Sequence, residues 1–332
     1  MKKEKENHPI LKPFRLPLFV IFIVGFFLAF GPPSAQAEFP EKEITVIVGW
    51  AAGGGTDLIS RFLADLMEKD LGKPVVVVNK PGGGGLLSFN QLANAKPDGY
   101  TLGNITTSVT LQKYSASSYV DWREFSFIAI YNYDPSSFTV KIDSPWKTLK
   151  EAMDYARANP GKVRISNSGP GAIWHVAAAL LGSKVGAKFT HVPYGGGNPA
   201  AVAAAGGHVE ATSVSPAEVG PLVRGGKLRI LAIASEKRDP LFPDVPTFKE
   251  SGVDLAIGTF RCLAAPKNTP KEIISKLENS VKKAVNDPKF KDFMDKNGFG
   301  QAFLGPAEVA AVMAQDEKEF EKVIPGLGLK KN

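Results

Sequence analysis

The stretch Ile44-Thr45-Val46-Ile47-Val48-Gly49-Trp50-Ala51-Ala52-Gly53-Gly54-Gly55-Thr56-Asp57 decides the fold. Its apolar, largely β-branched opening, residues 44–48, predicts a short buried strand. Leu58, Phe62, Leu63, Leu66 and Met67 then recur at helical spacing up to Leu71. A glycine loop between a strand and a helix start lets the backbone approach a ligand closely, and the free N–H groups of the first turn favour an anion. Thr56 is the expected N-cap, with Asp57 favourable in the first turn. No Gly-Lys-Ser/Thr follows, so the loop is not a triphosphate-binding loop.

Working outward, four valines, 75–78, follow Pro74 and read as a strand buried on both faces, which favours a parallel α/β sheet. A second loop, Asn79-Lys80-Pro81-Gly82-Gly83-Gly84-Gly85, again sits between a strand and a helix. The unit recurs, with strands expected at 100–104, 163–166, 188–192, 209–213 and 228–234, and helices at 149–158, 173–185, 199–205 and 217–224. A strand at 258–264 precedes a helical tail at 270–286, 288–297 and 306–323, each helix opened by a proline. Irregular segments at 131–143 and 240–258 read as two crossings. They predict two α/β lobes with a cleft between them, 38–135 plus 258–332 forming one and 136–257 the other. Open parallel sheets bind ligands beyond the carboxyl ends of their strands, which is where the glycine loops fall.

The first 37 residues are expected to be absent from the folded protein. Five basic residues precede the apolar run 18–30, and Ala35-Gln36-Ala37 supplies a small-x-small cleavage site, the pattern of a secretory signal peptide. The apolar run is too short for the roughly 20 residues of a transmembrane helix. No cysteine follows it, so a lipid anchor is not expected. The chain carries 40 Lys and Arg against 33 Asp and Glu. Without the first 37 residues the excess falls to +4, modest but suited to anionic small ligands. No basic run lies beside aromatics, so no nucleic acid is expected. The single cysteine, Cys262, excludes an internal disulfide, a CxxC redox pair and a cysteine-rich zinc site.

Catalytic patterns are missing. There is no HExxH or GxSxG, and two SxxK matches at 144–147 and 280–283 lack their companion motifs. His175 and His191 fall on separate elements and read as structural. Gly195-Gly196-Gly197-Asn198-Pro199-Ala200 has dinucleotide spacing, but Pro199 removes an N–H near the helix start. No cofactor is expected, and a binding role is favoured.

Several segments carry a family resemblance. They are Phe39-Pro40-Glu41-Lys42-Glu43-Ile44-Thr45, the loop 51–57, Val76-Val77-Val78-Asn79-Lys80-Pro81-Gly82 and Lys96-Pro97-Asp98-Gly99-Tyr100-Thr101-Leu102. Further on come 166–175, His191-Val192-Pro193-Tyr194-Gly195-Gly196, Gly207-His208-Val209-Glu210, Pro243-Asp244-Val245-Pro246-Thr247 and Ala265-Pro266-Lys267-Asn268-Thr269-Pro270. Together they resemble the solute receptors of tripartite tricarboxylate transporters, the Bug family. The resemblance implies a type II periplasmic-binding-protein fold, a monomer whose two lobes close over a small organic anion. It implies delivery of that anion to the permease subunits of a tripartite tricarboxylate transporter.

By analogy, two pincer loops grip a carboxylate through backbone amides and hydroxyls. One supplies Ala51, Ala52, Gly53, Gly54 and Asp57, and the other Ser168, Gly169, Gly171 and Ala172. Gly84, Thr106, Tyr194, Gly195, Ser215, Glu218 and Arg261 complete the candidate ligand-binding set. The chain departs from the family where relatives carry Gly-Ser and it has Ala172-Ile173-Trp174. It departs again where others carry Asp-Asn and it has the segment 213–218. Phe260 stands where tryptophan is common. Arg261 after it either grips a carboxylate bidentately or lies on the surface. With no anionic partner for an ammonium group in view, a carboxylate without an amine is the expected ligand. A periplasmic carboxylate receptor is the leading reading, a ligand-dependent partner of a membrane sensor kinase the second, and an exported enzyme the third.

Overall fold

A computed structural model describes residues 38–115, 117–327 and 329. The expected signal segment, residues 1–37, lies outside the described residues. Strand β1 (Ile44–Val48) runs into the glycine loop and helix α1 (Gly55–Leu71). The helix starts three residues before its apolar periodicity does, because Gly54 is the N-cap and Gly55 to Asp57 form the first turn. Thr56 is therefore inside the helix and does not cap it. Its hydroxyl accepts from Arg261 Nε at 2.9 Å.

β2 (Val75–Asn79), α2 (Leu86–Ala93), β3 (Thr101–Thr106) and α3 (Ser108–Ser115) follow. The segment expected to be an irregular outward crossing is instead almost entirely strand. β4 (Phe125–Pro135) and β5 (Ser137–Lys141) are separated by Ser136 alone. Polar residues such as Asn132, Asp134 and Ser137 hid these strands from a search for apolar runs, yet all three are buried and hydrogen-bonded.

Helices α4 (Leu149–Ala158), α5 (Ile173–Val185), α6 (Gly197–Ala205) and α7 (Pro216–Arg224) then alternate with β6 (Arg164–Asn167), β7 (Thr190–Pro193), β8 (Ala211–Thr212) and β9 (Leu228–Ile233). β10 (Gly258–Pro266) leads into α8 (Lys271–Asn286), α9 (Pro288–Asn297), β11 (Gln301–Leu304) and α10 (Pro306–Val323). The tail prolines act as expected, Pro288 and Pro306 in the first turn and Pro270 at the N-cap.

Two sheets result, ordered β11-β4-β10-β3-β1-β2 and β7-β6-β8-β5-β9. Both are mixed, which corrects the expectation of a parallel sheet. β1 is parallel to β2 and β3, but β10 runs antiparallel to β3 and β4. β5 likewise runs antiparallel to β8 and β9. A strand that enters from the other lobe arrives from the opposite end of the sheet, and that reverses its direction. The valine strand is also not buried on both faces. It is the edge of its sheet, and Val76 is 38% exposed.

The sheet holding β6 packs Phe138, Val140, Leu149, Met153, Ile165, Val176 and Leu181 into one core. Each such side chain contributes about 1.5–3 kcal/mol by leaving water. The two crossings touch, Ser136 N donating to Ile257 O at 2.9 Å, and Ala234, just after β9, donates from its N–H to Ser136 O at 2.8 Å. Among the described residues no helix is long and apolar enough to cross a membrane.

Candidate functional site

The loop after β1 and the loop after β6 both line a cavity of about 20 Å³. The hydroxyl-bearing Thr56, Thr106, Ser168 and Thr259 line it, with the rings of Trp50 and Trp174 and the charged Glu218 and Arg261. Such a volume is near the minimum for a single water molecule. A small organic acid requires the lining to part first.

The backbone amides expected to grip a ligand largely have partners within the protein. Ala51 N donates to Gly195 O at 2.9 Å across the cleft, and Gly53 N to the Asp57 carboxylate at 2.9 Å. Gly55 N donates to Glu218 Oε1 at 3.1 Å. In the second loop Gly169 N donates to Asn167 Oδ1 and Gly171 N to His175 Nδ1, both at 3.0 Å. Ile173 N bridges to Ser108 Oγ at 3.1 Å. Burial by itself would raise the Asp57 carboxyl, but Arg61, Gly53 N–H and Asn79 together hold it below its ordinary value. Asp57 thus braces its own loop.

Arg261 is neither on the surface nor a spare cation. It is 1% exposed and ion-paired with Asp134, equally buried, while Asn132 and Thr56 accept from the same guanidinium. The extended β10 backbone explains how it was misjudged. Alternation puts Thr259 and Arg261 on one face, and the strand pairing that delivers Asp134 from β4 is invisible in a one-dimensional reading. Nor is the cleft free of an anionic side chain, since the Glu218 carboxylate forms part of its wall.

Of the candidate residues, Gly54, Thr106, Ser168, Glu218 and Arg261 line the cavity. The others lie outside its lining, Gly171 facing a separate cavity with Ser115, His175 and His191. Gly84, with φ of 63°, sits so near the second loop that a Cβ would come within 2.5 Å of Pro170 O. Tyr194 N is tied to Asn167 O at 2.9 Å, and Ala52 O receives Asn198 Nδ2 at 3.5 Å. Ala172 is the N-cap of α5, Gly171 packs against Ser115, and Ser215 caps α7.

Sequence reasoning left Trp50, Ile173, Trp174, Gly197 and Thr259 out of the site and had Thr56 only as part of the 51–57 loop, though all line the cavity. The signal for Thr259 was its place two residues before Arg261 on a strand. His175 was read as structural, and its ring lies 4.6 Å from that of His191. Burial, and then His191, push its pKa down to about 4, which keeps Nδ1 free to accept from Gly171.

Comparison with known proteins places this architecture. Residues 59–329 match the model of the tripartite tricarboxylate transporter family receptor. The chain is 36% identical over 308 residues to the UPF0065 protein in gbd 5'region of Cupriavidus necator, covering 92% of this chain and 93% of that one. Among solved structures it superposes on the periplasmic binding protein BugD with a TM-score of 0.84 at 30% identity, covering 89% of this chain and all of that one. It is also similar to MatC from Rhodopseudomonas palustris, solved with bound malate, with a TM-score of 0.81 at 28% identity, covering 86% of this chain and 100% of that one. With two mixed α/β sheets, a cavity lined from the loops of both and a match that runs through both, the chain belongs to the tripartite tricarboxylate transporter receptor family of solute-binding proteins.

Proposed function

We propose that the protein is a periplasmic receptor that closes its two lobes over a small organic carboxylate and delivers it to the membrane permease of a tripartite tricarboxylate transporter. In this reading residues 38–135 with 258–332 form one lobe and 136–257 the other. The observation that carries it is the cavity lining, in which the hydroxyl-bearing Thr56, Thr106, Ser168 and Thr259 stand with the buried Arg261, Trp50 and Trp174. Hydroxyl donors in a water-poor cavity recognise carboxylate oxygens more strongly than they would in solvent. The malate held by MatC supports a short dicarboxylate.

The test is a thermal-shift screen of malate, succinate, citrate, adipate, benzoate-type acids, glutamate and a sugar, on protein unfolded and refolded to strip carried ligand. A ligand at a hundredfold excess over Kd adds about 2.7 kcal/mol. Each kcal/mol raises Tm by roughly 2–4 °C in a domain of 150–250 residues. A carboxylate is expected to give a shift of several degrees. A sugar that shifts the melt while every carboxylate fails overturns the reading.

A further inference from the structure

Glu218 occupies an unusual position for a side chain in the wall of an anion-binding cleft. Its Oε2 is held locally, accepting from Ser215 N and Ser215 Oγ at 3.2 Å each, as the N3 partner of the α7 capping box. Its Oε1 reaches across to the opposite lobe and accepts from Gly55 N, the first amide of α1, at 3.1 Å. Gly197, the first residue of α6, lies directly against the same carboxylate, where any Cβ would collide with it. Three helix starts therefore converge on one carboxylate that the protein itself supplies. Resting on the carboxylate-receptor reading, we propose that Glu218 is an internal competitor for the ligand's carboxylate and thereby sets which anions the cleft accepts and how tightly.

Three observations support the assignment. The amide that Oε1 takes is one of those an incoming carboxylate would need, because it begins the helix whose N-terminus opens on the cavity. The cavity of about 20 Å³ leaves no room for a second carboxylate while Glu218 stays in place. Arg261, the cation in the described lining, is already matched by Asp134, so a second anionic group beside Glu218 meets no spare positive charge. The two oxygens also have separate tasks. Oε2 can keep the capping box while Oε1 gives up Gly55, so the side chain has a latched and an unlatched state without unravelling α7. Ligands that repay the loss of the Gly55 contact bind, and weak monoanions do not.

The variants Glu218→Gln and Glu218→Ala test this. Glutamine keeps a capping partner at N3 but removes the charge, so it separates competition from simple loss of α7. Small-angle scattering of refolded protein without added ligand should show the wild type more compact than either variant. Calorimetric titration with malate, succinate and adipate should show Glu218→Gln binding the best of them about five- to tenfold more tightly than wild type. Unchanged or weaker binding by Glu218→Gln overturns the proposal, weaker binding meaning that Glu218 holds the ligand instead of competing with it. Equal compaction in all three proteins also overturns it. If no carboxylate binds wild type or variant, the receptor reading falls, and the compaction difference alone upholds or overturns the latch.

Discussion

At the scale of single residues the decisive group is the ion pair Arg261–Asp134. Both side chains are 1% exposed, and Asp134 also accepts from Gly300 N at 2.9 Å and from Asn132 Nδ2 at 3.0 Å. The pair thus ties β10, β4 and the start of β11 together below the cavity. Removing one member leaves a buried charge without its partner, so Arg261→Ala should cost about 3–5 kcal/mol in urea unfolding. A stability within about 0.5 kcal/mol of wild type would show that water reaches the site. His175 gives a second expectation. Its folded pKa of about 4 lies below the ordinary 6.5, so the neutral ring contributes stability above pH 6.5 that is lost as the pH falls toward 4. His175→Asn should flatten that part of the stability-against-pH profile relative to wild type. Parallel profiles would assign the loss to other groups.

At the scale of elements, the docking of α10 depends on Glu317. It accepts from Lys113 Nζ at 2.5 Å, Arg123 Nη2 at 2.7 Å and Trp122 Nε1 at 3.3 Å, so one carboxylate joins α10 to α3 and to the segment before β4. Burial opposes its ionisation, but the donors prevail and hold its pKa down at about 2. Because the folded pKa is depressed from 4.5, the contribution is present above pH 4.5 and is lost as the pH falls toward 2. Glu317→Ala should lose about 2–3 kcal/mol and speed amide exchange along α10 more than in β1. Uniform acceleration through both elements would mean that the helix does not loosen separately. The helix itself was legible from Pro306 to Val323, since its proline start and apolar spacing are local properties. Its anchor was not, because the donors come from residues about 200 positions earlier.

At the scale of the whole molecule, the loop at Gly84 and the loop after β6 approach each other backbone to backbone. Gly84 stands against Pro170 with no space for a Cβ, and its φ of 63° disfavours any other residue. Gly84→Ala should leave the lobes held apart. The refolded variant should scatter with a larger radius of gyration than wild type, and the best carboxylate of the screen should lose most of its melting shift. Wild-type scattering together with a full melting shift would show that the 168–172 loop moves aside at little cost.

The sequence by itself determined the alternation of strands and helices and the glycine loops between them. These follow from local periodicity and from the need of a strand-to-helix turn for small residues. The expectation that residues 51–57 and 168–172 take part in one site came from the family resemblance, not from the pattern of the residues. Tertiary structure alone decided the rest. It made both sheets mixed, turned the outward crossing into β4 and β5, and put the valine strand at an edge, because the direction and rank of a strand depend on partners far away in the chain. It also gave the two charged candidates partners that no sequence pattern shows. Arg261 looked available until β4 brought Asp134 to it. Glu218 looked like one more lining group until closure set its carboxylate on the amide of Gly55, 163 positions away. A charged side chain acts through its neighbours, and in a two-lobed protein those neighbours are fixed only when the lobes meet.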